Sequence, residues 1–193
     1  MKLRIKSQNK ERMKFMIKFE NARNYKKQIK HLYRTAFPKE ERAPLFFLFQ
    51  KARQKNNSFY AIVDNEEFVG LVYTIETEKM VYVFFFAIEE AKRGKGYGTK
   101  VLSLIKEMYP DRAVTLEIED TADKDADNYT QRINRLGFYQ RNGFKQLQRR
   151  VNEAGVVYEL LSTEEGITRE EFLSLMKNFL GAALFRFVYR MKQ

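Results

Sequence analysis

The chain of 193 residues has no cysteine, which excludes disulfides, thiol nucleophiles, iron–sulfur clusters and cysteine-ligated zinc. It has one histidine, His31, so a multi-histidine metal site is excluded too, and His31 itself reads as a surface or packing residue. Tryptophan is absent and proline occurs three times. Long apolar runs are also missing. The longest, Val81-Tyr82-Val83-Phe84-Phe85-Phe86-Ala87-Ile88, is too short to span a bilayer as a helix and suits a buried strand. The basic N-terminus is interrupted throughout by Lys, Arg, Asn and Gln, so no signal-peptide core forms. Together these absences point to the cytoplasm.

What is present is apolar and aromatic material, 44% and 15% of the chain, too much for a disordered segment and enough for a core without covalent staples. The net charge of +11 is unevenly placed. Residues 1–55 hold 17 Lys and Arg against 4 Asp and Glu, while the remainder is slightly acidic. That excess suits an anionic partner, whether nucleic acid, lipid or cofactor, or a solvated basic face.

The pattern along the chain predicts a basic arm over residues 1–13 and a first strand from Phe15 to Glu20. Tyr25–Ala36 has helical spacing and is stopped by Pro38, and a second helix runs from Pro44 to about Lys55. Ser58–Asp64 and Phe68–Glu76 read as a hairpin around Asn65-Glu66-Glu67, followed by the central strand Val81–Ile88. Then come a helix over Thr99–Tyr109, an alternating strand over Ala113–Asp120, a helix over Asn128–Asn142, and a last hairpin of Phe144–Asn152 and Val156–Leu161. Thr168 and Glu171 form a capping box before one long C-terminal helix carrying Phe172, Leu175, Met176, Phe179, Ala183, Phe187 and Met191. The strand–helix–strand crossover from Val81 to Glu119 makes one parallel pair in an otherwise antiparallel sheet. The class is therefore α/β (α+β), with a mixed, mostly antiparallel sheet of six to seven strands flanked by helices.

Arg93-Gly94-Lys95-Gly96-Tyr97-Gly98-Thr99 lies between the most apolar strand and an amphipathic helix. Glycines let consecutive amides turn toward one point, and the following helix start adds partial positive charge. This is a phosphate or pyrophosphate site. It lacks the Gly-Lys-Ser/Thr of a P-loop, and Thr99 replaces the last glycine of a dinucleotide fingerprint.

Arg93-x-x-Gly96-x-Gly98 resembles the acetyl-CoA loop of the GNAT superfamily of N-acetyltransferases, and Phe138-Tyr139-Gln140-Arg141-Asn142-Gly143-Phe144 resembles that family's F-Y-x-x-x-G-F signature. The similarity covers about residues 14–161 and leaves 162–193 as a C-terminal helical extension. It implies acetyl-CoA as co-substrate, with the amides of Arg93, Gly94, Lys95, Gly96, Tyr97, Gly98 and Thr99 on the pyrophosphate. It implies that the backbone of Phe86, Ala87 and Ile88 pairs with pantetheine, which requires the strands Val81–Ile88 and Ala113–Asp120 to splay. It also implies that Tyr139 points at the CoA sulfur. Where many members have an asparagine seven residues before that tyrosine, this chain has Arg132.

Acetyl transfer to an amine needs a proton acceptor, because an ammonium titrates near 10.4. Glu117 and Glu119 share one strand face, and Glu119, nearer the open end, is the preferred base; pairing with arginine is the plain alternative. Tyr139 is the available acid for the thiolate, and the Ile88 amide is a candidate oxyanion donor. No metal is called for. The acidic segment from Glu119 to Asp127 would favour a cationic acceptor, and it departs from a calcium loop at Asn128 and Asn134. The expected function is thus transfer of acetyl from acetyl-CoA to a small-molecule or peptide amine. The alternative is a CoA-binding fold used as a nucleic-acid- or membrane-associated module through the basic arm or the C-terminal helix. The arm has few aromatics for stacking, which ranks nucleic acid second, and peripheral membrane contact is not favoured. The apolar C-terminal stripe reads first as a homodimer contact or a lid on the core.

Overall fold

The computed structural model describes residues 16–189. The basic arm of residues 1–13, the start of the first predicted strand at Phe15, and Arg190, Met191 and Lys192 of the C-terminal stripe lie outside the described residues.

Asn65 and Glu66 both take positive φ, 49° and 69°, which is the backbone of a tight two-residue hairpin turn. That turn fixes the register of β2 (Asn57–Asp64) against β3 (Glu67–Glu76), with Asp64 opposite Glu67. β1 (Ile17–Asn21) adds antiparallel to β2, and β4 (Met80–Ile88) adds antiparallel to β3. β5 (Ala113–Glu119) follows after a helical crossover and runs parallel to β4. β6 (Lys145–Glu153) and β7 (Val156–Ser162) form the last hairpin, with β7 inserted beside β5. Among the described residues the seven strands make one sheet of order β1-β2-β3-β4-β5-β7-β6.

The central pair separates early. β4 and β5 are in register only over Met80–Tyr82 and Ala113–Thr115. Immediately beyond, Tyr73 faces Phe85 while Thr74 faces Val83, so Phe84 is an extra residue in β4. A bulge bends the strand that carries it and increases its twist. From Val83 onward β4 stays with β3 and β5 stays with β7, which leaves the splayed gap the sequence called for.

Each face of the sheet has its own apolar layer. One is built by α1 (Lys26–Ala36), α2 (Leu45–Lys51) and α5 (Arg169–Leu180). The other is built by α3 (Tyr97–Met108) and α4 (Tyr129–Arg141). The Thr168–Glu171 capping box is present, and α5 buries Phe172, Leu175, Met176 and Phe179, together about 10 kcal/mol of apolar burial before entropy is counted. The predicted single C-terminal helix is two helices. Gly181 takes φ 81° and ψ 156°, outside any helical basin, and separates α5 from α6 (Ala182–Val188). The apolar stripe therefore divides: its α5 part fills the core, and Phe187 on α6 is 68% exposed.

Candidate active site

The loop after β4 makes a one-turn helix, Glu90–Lys92, and then enters α3 through Gly94 and Gly96, at φ 72° and 87°. An L side chain is strained there, so glycine at both positions follows from the backbone path. The first amide taken inside α3 is that of Lys100, by the Gly96 carbonyl at 3.1 Å. The amides of Gly94, Lys95, Gly96, Gly98 and Thr99 donate to no carbonyl among the described residues, so a set of open donors stands at the positive end of a twelve-residue helix. The Arg93 amide is already used, by Glu90 at 3.1 Å, and its guanidinium folds back onto the Ile88 carbonyl at 3.0 Å. Lys95 likewise returns to the Ala91 carbonyl at 2.9 Å. Tyr97 turns inward: its hydroxyl donates to Asp64 at 2.8 Å, and burial, followed by that carboxylate, pushes its pKa up to about 12. Both cationic side chains of the loop thus rest on backbone carbonyls.

Gly98 has a different duty from its neighbours. A Cβ built on it would lie 2.9 Å from Phe138 Cζ, so its bare backbone is what allows α3 and α4 to touch. Tyr139, next along, packs edge-on against Phe144 and Phe138, at 5.6 and 5.2 Å between ring centroids. Its hydroxyl has no hydrogen-bond partner among the described residues, and it belongs to the α3–α4 layer. Burial pushes the phenol up to about 12, with the nearby Arg135 opposing. Peptide groups alternate along a strand. Since the Glu89 amide goes to Val69 on β3 at 3.0 Å, those of Phe86 and Ile88 face the gap.

Glu117 and Glu119 share the opposite face of β5, as the alternation predicted. Glu119 is buried, 6% exposed, and fully engaged. Arg135 pairs with one oxygen, Asn128 donates to the other at 2.7 Å, and Arg132 stands 3.6 Å from it. Arg132 also holds the Asp120 carbonyl at 2.9 Å and the Asn128 side chain at 2.7 Å. It latches the acidic segment to α4. Asp120 is taken by Arg150 at 3.0 Å and Asp123 by Arg132 at 3.7 Å, so much of the acidic segment is neutralised internally.

Glu117 stands differently. Tyr82 donates to its Oε1 at 2.7 Å, while Oε2 is buried with no donor. The neighbouring group is Glu153 of β6, whose Oε1 accepts from Tyr189 at 3.2 Å. Burial first, and then the Glu153 carboxyl, hold Glu117 well above the usual carboxylate range; burial raises Glu153 as well. Two carboxyls side by side in a dry site cannot both ionise, so the pair retains one proton. Glu41, on the loop between α1 and α2, is also raised by burial and by the charge of Glu119. Sequence reasoning missed Glu153, Tyr82 and Tyr189. The one available signal was Tyr82, a hydroxyl in an otherwise apolar strand that requires a buried partner. Among the described residues no group of His, Asp and Glu is arranged to hold a metal ion.

A parallel pair parted at a bulge and followed by a helix-capping glycine loop is the frame of this fold. The chain belongs to the acetyltransferase (GNAT) family, whose profile matches residues 26–144. No curated protein matches its sequence significantly. Among solved structures, a protein from Bacteroides thetaiotaomicron assigned to the GNAT family is similar at TM-score 0.68 and 22% identity, over 88% of this chain and 97% of that one. An aminoglycoside 6′-N-acetyltransferase in complex with coenzyme A is similar at TM-score 0.60 and 17% identity, over 80% and 98%. Arabidopsis thaliana Naa50, bound to the bisubstrate analogue CoA-Ac-MVNAL, is similar at TM-score 0.58 and 16% identity, over 77% and 98%. The protein is an acyltransferase by family. No helix among the described residues is long and apolar enough to cross a membrane.

Proposed function

We propose that the protein moves an acetyl group from acetyl-CoA directly to a primary amine, in the cytoplasm, with the two substrates meeting in the gap between β4 and β5. The observation that carries this is the arrangement around the gap. The outward amides of Gly94, Lys95, Gly96, Gly98 and Thr99 and the Tyr139 hydroxyl lie with the α3–α4 layer, while Glu117 lies on the other face with Tyr82. The neighbours named above take CoA with an aminoglycoside or a peptide amine, which supports an amine acceptor here.

The residues fit the co-substrate. The loop amides bind the pyrophosphate, and the gap-facing groups of Phe86 and Ile88 pair with pantetheine as an added strand would. Acetyl-CoA supplies a thioester carbonyl already activated toward nitrogen. The Glu117–Glu153 pair takes the proton that the ammonium must lose; its raised affinity for a proton suits a base working near neutral pH. Glu119, held by Arg135 and Asn128, positions α4 and the acidic segment. The Ile88 amide stabilises the oxygen that becomes negative during attack. Tyr139 stays protonated at neutral pH. Its pKa of about 12 lies above the roughly 8.5 of a thiol, so it serves the departing sulfur by a hydrogen bond more than by complete proton transfer.

The test is a thiol-release assay with acetyl-CoA against polyamines, aminoglycosides, amino acids and peptide N-termini. Amine-dependent release by the wild type, lost in Glu117→Gln, supports the reading; hydrolysis alone with every amine contradicts it.

A further inference from the structure

Several cations of the fold have acidic partners: Arg135 with Glu119, Arg150 with Asp120, Arg112 with Glu76, Lys92 with Glu67. Of those without one, five are gathered in one place. Arg23, Lys26, Lys30, Arg34 and Arg53 have no carboxylate partner among the described residues, and all five line one cleft between α1 and α2, of about 720 Å³, with no acidic residue on its walls. Lys26, Lys30 and Arg34 recur every fourth residue, which places them in a row about 6 Å apart along α1. Like charges at that spacing weaken a helix, and α1 carries no acidic residue to offset them. Arg23 is held in place by the Phe49 carbonyl at 2.6 Å, over the Phe49 ring.

The cleft wall also carries Phe46, 74% exposed and the most exposed of the large apolar side chains described. A bare ring among unpaired cations suits a ligand with repeated negative charges and flat apolar faces. We infer that the α1–α2 cleft binds single-stranded nucleic acid, with phosphates along the Lys26–Lys30–Arg34 row and a base stacked on Phe46. The exposed ring set among the cations favours a ligand that offers a bare base over one that offers charge alone. This is a second binding function. It shares no residue with the β4–β5 gap and does not depend on the acceptor reading.

The test is fluorescence anisotropy of the full chain with labelled oligo-dT and oligo-U of about 15 nucleotides, between about 50 and 200 mM salt. The wild type should bind with steep salt dependence. Lys26→Glu with Lys30→Glu should weaken binding at least about tenfold and flatten the salt slope, because fewer counterions are released. Phe46→Ala should weaken it about fivefold or more with the slope unchanged, since stacking releases none. Acetyl transfer and the melting temperature should stay as in the wild type; if the charge-reversed chain misfolds, Lys26→Gln with Lys30→Gln takes its place. No oligonucleotide binding would overturn the inference. So would binding that ignores all of these substitutions, or equal competition by heparin with Phe46→Ala silent, which marks charge alone. Sedimentation with phosphatidylserine vesicles in the absence of oligonucleotide binding would overturn it in favour of a membrane.

Discussion

Gly98 and Phe138 meet where α3 crosses α4, and a Cβ on Gly98 would approach the Phe138 ring to 2.9 Å. The glycine loop and the aromatic signature, forty residues apart in sequence, are thus in direct contact. A change at Gly98 is therefore felt at Phe138, the residue beside Tyr139.

Gly98→Ala should therefore act on both. Forcing a methyl into a packed contact costs about 1–3 kcal/mol, so the melting temperature should fall. Turnover should fall with it, because Phe138 is displaced next to Tyr139. Gly94→Ala makes the control: a Cβ there meets nothing within 4 Å, and its cost is backbone strain at φ 72° alone. Equal stability in Gly98→Ala and wild type would show that the crossing has room to spare.

Tyr139→Phe keeps the ring contacts with Phe138 and Phe144 and removes only the hydroxyl. CoA affinity, measured by calorimetry, should hardly change. Steady-state turnover should drop by about 10²–10³, the range for a hydrogen bond made to charge that develops in the transition state. Full turnover would remove the hydroxyl from the chemistry.

Glu117→Gln should trade activity for stability. In the folded protein the Glu117 proton is held more tightly than in the unfolded chain. That contribution is complete below the ordinary glutamate pKa and is lost as pH rises through the raised one. An amide has no such loss, and it can still accept from Tyr82 while donating to Glu153. The variant should melt above the wild type at alkaline pH, by a margin that shrinks in acid, while turnover falls by about 10²–10⁴. The wild-type rate should rise with pH along a limb above the ordinary glutamate range. A variant that is less stable at high pH yet fully active contradicts the assignment.

Glu119→Ala should behave as the loss of a structural anion. It strands Arg135 and frees Asn128, at a cost of about 2–3 kcal/mol, below the fully buried range because Arg135 is partly exposed. Its activity loss should be the same across pH, and Arg135→Lys should reproduce part of it. A loss that grows as pH falls would return the base role to Glu119.

The glycine loop, the parallel pair and the alternation of β5 were legible because each is a local pattern: glycines before a helical period, a crossover between strands, every second residue on one face; the splay followed only from the family resemblance. The carboxyl pair was not. Glu117 and Glu153 come together only through the order β5-β7-β6, which no local period encodes, and Glu153 sits at a turn where a solvated acid is the default. The fate of the C-terminal stripe was hidden for a related reason. Phe172 to Phe187 keeps helical spacing across Gly181, and periodicity alone cannot tell that the glycine leaves the helical basin there. The paired state of Glu119 was half visible: arginine partners were foreseen as a class, but Arg135 reaches it from another element.

The central claim is that the outward amides of the glycine loop and the gap edge of β4 hold CoA. Amide hydrogen exchange with and without CoA reads those groups directly. Saturating CoA should slow exchange at Gly94, Lys95, Gly96, Gly98 and Thr99, and at Phe86 and Ile88, while amides already bonded to protein, such as those of Arg93 and Glu89, change little. Binding that protects none of the loop amides, or no binding at all, would contradict the account.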